Sequence, residues 1–119
     1  MAELLTVDDL PDGFRYPPEF IRVVELGLID LEQWQVLEGE QLRSRYRGMA
    51  ERFPERALVP FARRQDNDDV ACWDGRGGPE VLIVHDYAEP GHELRETLPT
   101  FYSWLRRAVE DLIDFEPED

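Results

Sequence analysis

The sequence predicts a single α+β domain, with a mixed but mostly antiparallel sheet and flanking helices, on three observations. Its 119 residues fit one compact domain, and a composition 42% hydrophobic and 11% aromatic supplies a core. Two stretches, Glu40–Phe53 and Pro99–Leu112, carry apolar residues at helical spacing. Between them lie short β-rich runs punctuated by turn residues, which read as strands.

Each element follows in order. Pro17-Pro18 opens a first helix, because proline suits the first helical turn, and Phe20, Ile21, Val24 and Leu28 follow helical spacing with Gly27 as the stop. A short strand is expected around Trp34–Leu37. The helix from Glu40 to about Phe53 aligns Leu42, Tyr46, Met49 and Phe53 in one stripe, with Arg43 and Arg47 on its other side and Pro54 ending it. Ala57–Ala62 and Val70–Trp73 read as strands around the polar loop Arg63–Asp69. The turn Gly75-Arg-Gly-Gly-Pro79 leads to Glu80–Asp86, whose four consecutive apolar residues suggest a strand buried on both faces. After the loop Ala88–His92 comes a last helix, beginning near Pro99, with Phe101, Trp104, Leu105, Ala108 and Leu112 facing the core. The domain thus spans residues 1–119, its core running from about 10 to 113 and an acidic tail, 114–119, fraying at the end. Leu42, Met49, Phe53, Val81, Ile83, Trp104 and Leu105 are the residues expected to be buried.

Charge excludes several functions. Twenty-seven acids face 13 basic residues, for a net charge of -14, which disfavours non-specific nucleic-acid binding and anionic membrane surfaces. Every basic residue is Arg, so mechanisms that need a Schiff-base or P-loop lysine are closed. The acidity is interrupted: residues 43–64 hold seven Arg and two acids, whereas 65–93 hold eight acids and one Arg. Arg43–Arg64 is the best anion-binding candidate in the chain, set against the ordinary reading of exposed helix arginines. The lone Cys72 cannot form an internal disulfide, the N-terminus lacks a basic signal-like region, and the longest apolar run is Val81–Val84. These point to a soluble, cytoplasmic protein.

No catalytic constellation emerges. Ser44 and Ser103 both fall inside helices rather than at a strand-to-helix elbow. Cys72, in a strand between Ala71 and Trp73, reads as a core residue. Gly75-Arg-Gly-Gly precedes a strand, not a helix, so it is a hairpin turn rather than a phosphate loop. Asp66-Asn-Asp-Asp69 fails calcium-loop spacing, because its fifth position is Val70, leaving only a looser site with His85. His85 and Asp86, as strand neighbours, face opposite ways and cannot form a dyad. Catalytic, metal and cofactor sites are therefore all expected to be absent.

The order of pieces carries a resemblance. Leu10-Pro11 precedes a short helix and a Trp34-bearing strand. Then come Leu58-Val-Pro-Phe-Ala62, a polar loop with Asp, Asp69-Val-Ala-Cys-Trp-Asp74, Val81-Leu-Ile-Val-His-Asp86 and a closing helix with Phe101 and Trp104. From Leu10 to Leu112 this resembles the SUKH superfamily, which groups bacterial toxin-immunity proteins with a fungal regulator of cell-wall synthesis. The resemblance implies an α+β fold and a protein that neutralises a cognate toxin by binding it, without catalysis or cofactor. An acidic protein suits a basic toxin such as a nuclease. The expected partner surface is the acidic stretch, with Asp66, Asp68, Asp69, Asp74, Asp86 and Glu89 as electrostatic contacts and Trp73 and Tyr87 as aromatic anchors. The alternatives are a regulatory or scaffolding module unrelated to toxins and, in another class, a small metal-dependent hydrolase using the Asp and His residues.

Overall fold

The structure is a computed structural model that describes residues 2–115. Its elements are α1 (Pro18–Glu25), β1 (Asp30–Leu31), β2 (Trp34–Val36), α2 (Gly39–Arg52), β3 (Leu58–Arg64), β4 (Asp69–Asp74), β5 (Val81–His85), β6 (Leu94–Leu98) and α3 (Phe101–Asp114). The six strands form one sheet in chain order, β1 to β6, and every pairing is antiparallel. The fold is α+β.

Local chemistry explains the boundaries. Pro18 sits in the first turn of α1. Gly27, at φ 78°, closes that helix in a Schellman motif: its N–H donates to the Val24 carbonyl and the Leu28 N–H to that of Val23. Thr100 caps α3 by accepting the Ser103 N–H at 3.1 Å. Pro60 cannot donate to a ladder, and it lies where β3 bulges against β4, beyond the β3 residues that pair with β2.

Period-two alternation sorts the sheet into two faces. On one, Phe61 stacks on Trp73 with ring centroids 4.2 Å apart, and both rings meet Phe20 of α1 and Phe101 of α3. Trp104 packs edge-on against Phe61 at 4.9 Å, and the Trp34 indole N–H donates to Asp111 of α3 at 3.0 Å. The opposite face belongs to α2, which buries Leu42 and Met49, with Phe53 as its C-cap.

The expected helices and most strands match this architecture within a few residues. Six of the seven expected core residues are buried; Leu105 is only partly so. Three details differ. The five-residue strand β6 falls between the expected loop Ala88–His92 and the helix near Pro99, where no strand is expected, because Arg95 and Glu96 interrupt its alternation, as suits an edge strand. The strand buried along nearly its whole length is β4 rather than β5, in which Leu82 and His85 stay partly exposed. Helix α3 continues through Asp114, so the frayed tail does not begin there; residues 116–119 lie outside the described residues. No helix among the described residues is long and apolar enough to cross a membrane.

Candidate functional site

The expected partner residues do not form one surface. Asp66, Asp68, Tyr87 and Glu89 are exposed on the β3–β4 and β5–β6 loops, which lie at the same end of the sheet. These loops touch where the Asp86 N–H donates to the Asp68 carbonyl. Asp74 sits at the opposite end of β4, accepting the Arg76 N–H at 2.9 Å. Trp73 is 1% exposed, and so is no anchor for a partner: its strand parity turns it into the aromatic core. Asp69 and Asp86 are buried too, and their carboxylates are already paired. Asp69 accepts from Arg95 Nε at 2.7 Å and lies 3.2 Å from His85 Nδ1. Among the described residues, no group of three or more His, Cys, Asp or Glu side chains is placed to hold a metal ion. Burial pushes the Cys72 thiol well above its ordinary pKa, so it is no thiolate nucleophile.

Asp86 is the most informative of the corrections. It is fully buried, which for a lone carboxylate costs far more than a small domain can tolerate. Two arginines of α2 meet it. Arg52 donates from Nε and Nη2 at 2.7 and 2.6 Å, and Arg45 donates from Nη1 at 2.7 Å. Burial raises the carboxyl's pKa, but the hydrogen bonds from Arg52 and Arg45 outweigh it and hold the group below its ordinary value. The Arg52 pKa is raised by the same contact.

Local structure is bent to build this cluster. Arg45, Gly48 and Arg52 fall at i, i+3 and i+7, on one face of α2. A Cβ on Gly48 would come within 2.8 Å of Arg52 Nη1, so glycine leaves the path by which Arg52 reaches Asp86. Tyr87 takes φ 69°, the left-handed region, and its N–H returns to Asp86 Oδ1 at 3.0 Å. Its ring, 65% exposed, lies beneath the Arg52 guanidinium at 4.2 Å. At the other end of the same loop, buried Glu93 accepts the Gly91 N–H at 3.1 Å and meets Arg56 at 3.4 Å. The loop Asp86–Glu93 is therefore gripped at both ends by acids buried against the α2 side of the sheet.

These contacts line a groove of about 580 Å³ between α2 and the β5–β6 loop, bounded by Gln41, Ser44, Arg45, Arg52, Arg63 and Tyr87. A second groove of about 410 Å³ is acidic, with Asp30, Glu32 and Asp66 around Phe115. The basic island of the sequence is largely consumed by folding. Arg43 pairs with Glu3 and Glu40, Arg47 with Glu40, Arg56 with Glu93, and Arg64 with Asp66 and Asp111. Arg63 alone of its seven arginines makes no ion pair among the described residues. The sequence pattern marks the Arg run but not its buried partner Asp86, which lies 34 residues from Arg52 and 41 from Arg45. Glycine between two arginines on one helix face was the available signal.

No protein-family model, no curated protein and no solved structure matches the chain.

Proposed function

We propose that this is a non-catalytic binding protein, an immunity protein of the kind the SUKH resemblance implies, that neutralises a basic toxin domain through an acidic edge. The observation that carries this reading is the set of exposed carboxylates at one end of the sheet. Glu32, Asp68 and Glu89 have no ion-pair partner among the described residues, and Asp66 shares only Arg64. With six of the seven island arginines paired internally, this edge keeps its negative potential. Such a potential steers a basic partner and speeds its association. Phe115, 38% exposed in the acidic groove, takes the role of apolar anchor that buried Trp73 cannot fill.

The test is co-expression with a candidate basic toxin domain from a neighbouring gene, read as host growth, with binding kinetics measured on the purified pair. Reversing Asp66, Asp68 and Glu89 to Arg should abolish protection and slow association at least about tenfold, mostly at low salt. Reversing Asp12, Glu55 and Glu80, exposed near the opposite end of the sheet, is the charge-matched control. Equal losses from the two sets would mean that net charge, rather than this edge, governs binding.

A further inference from the structure

We propose that the groove between α2 and the β5–β6 loop binds a phosphoryl group, as free phosphate or as the head of a small phosphate monoester. This inference does not depend on a toxin partner, although the groove borders the β5–β6 loop that also carries Glu89 of the acidic edge. It starts from donors left over after folding. Arg45 spends only Nη1 on Asp86, and Arg52 spends Nε and Nη2. Arg45 Nε and Nη2 and Arg52 Nη1 thus keep hydrogen-bonding capacity among the described residues, and Arg63 keeps all of its own. The Ser44 hydroxyl and the Gln41 amide border the same space.

Charge selects the ligand class. Three guanidiniums stand against one buried carboxylate, leaving two positive charges in the groove. Glu40 also lines it, but its carboxylate already serves Arg43 and Arg47. A phosphate monoester carries about -1.5 to -2 charges and three acceptor oxygens, so it matches both the charge and the donor count better than a carboxylate does. The acids elsewhere on the chain are screened beyond about 8 Å at physiological salt, so the groove can differ in sign from the whole.

Preorganisation supplies the rest. Three features that are each unfavourable alone converge here: a fully buried carboxylate, a glycine inside a helix and a left-handed tyrosine. Together they fix two guanidiniums and an exposed aromatic ring around one cavity, so binding does not have to order them. The volume of about 580 Å³ falls within the range of roughly 300–1,000 Å³ typical of small-molecule sites. The Tyr87 ring offers a surface for the body of an ester.

The experiment is an NMR titration of the full-length, isotope-labelled protein with inorganic phosphate at constant ionic strength. Saturable shifts should centre on the amides of Ser44, Arg63 and Tyr87. Arg63→Ala should weaken binding about tenfold or more, the loss expected for a charged hydrogen bond, and Arg63→Lys should restore part of it. Arg106→Ala, an exposed position on α3, should change nothing. Adenosine monophosphate and ribose 5-phosphate separate the two sources: tighter binding than phosphate identifies an ester, equal binding the free anion. Shifts that are unsaturable, that survive Arg63→Ala, or that acetate reproduces at equal concentration would overturn the proposal.

Discussion

On the face of the sheet that carries α1 and α3, the rings of Phe20, Phe61, Trp73, Phe101 and Trp104 pack in mutual contact with centroids 4.2 to 6.3 Å apart. On the α2 face, Leu42, Met49 and Phe53 supply the apolar burial, and the helix is otherwise tied down by ion pairs to Asp86 and Glu3. The aromatic packing of the first face is non-directional and uncharged, with carboxylates such as Asp111, which accepts the Trp34 indole N–H, only at its rim. The second depends on the charge of a buried carboxylate. The contrast places the fold's stability mainly on one side and its chemistry on the other. An aromatic core needs no particular ligand, whereas a preorganised pair of arginines has donors to spare.

The aromatic face should show the largest single effect. Trp104→Ala removes a side chain that is 1% exposed and touches Trp34, Phe61 and Phe101, and should cost about 3–5 kcal/mol. Urea unfolding measures it. A cost below about 1 kcal/mol would mean that the core does not rest on this cluster. Because the substituted group is uncharged, the loss should be the same at pH 5 and pH 8.

The α2 face should respond differently. Asp86→Asn keeps the shape but leaves Arg45 and Arg52 without their counter-ion. It should cost about 2–3 kcal/mol at neutral pH, less than a fully enclosed pair because both arginines still reach solvent. The pH dependence has a definite sign. The folded Asp86 pKa lies below its ordinary value, so its contribution is complete above the unfolded carboxyl pKa of about 3.9 and is lost as pH falls through the folded value. Stability curves of wild type and Asp86→Asn should therefore run parallel from pH 7 to about 5 and converge below about 4. A gap that stays constant into acid would show that the carboxylate's charge is not what holds α2.

The same contrast decided how much the sequence revealed. Helical periodicity and β-rich runs marked both long helices and the inner strands, because burial on a regular element leaves a local pattern. The edge strand β6 left none, since Arg95 and Glu96 belong to its ion pairs with Asp69 and Arg107 rather than to a buried face. The acidic loop residues Asp66, Asp68 and Glu89 are exposed as expected, because polar turn residues tend to lie outside. Asp86 and Asp69 could not be told from them by composition. Whether an aspartate is solvated or buried is settled by arginines 26 to 41 residues distant, and no local pattern encodes that pairing.

The finest test of the α2 face is Gly48→Ala, where two principles predict opposite signs. Alanine inside a helix is about 1 kcal/mol better than glycine by intrinsic propensity, and position 48 has ordinary helical backbone, so an unconstrained helix would be stabilised. Here the new Cβ would lie 2.8 Å from Arg52 Nη1 and 3.0 Å from Nη2. A long side chain can usually swing aside at little cost. This one is bidentate to a fully buried carboxylate, and moving it weakens two charge-assisted hydrogen bonds that each contribute about 1.5–3 kcal/mol. Partial loss of that contact outweighs the propensity gain, so Gly48→Ala should destabilise by about 1 kcal/mol. In the Asp86→Asn background the constraint on Arg52 is relaxed, and the same substitution should turn neutral or stabilising. Thermal and urea unfolding of the four proteins in this cycle give the coupling directly. A stabilising Gly48→Ala in the wild-type background would show that the glycine does not hold Arg52 in place.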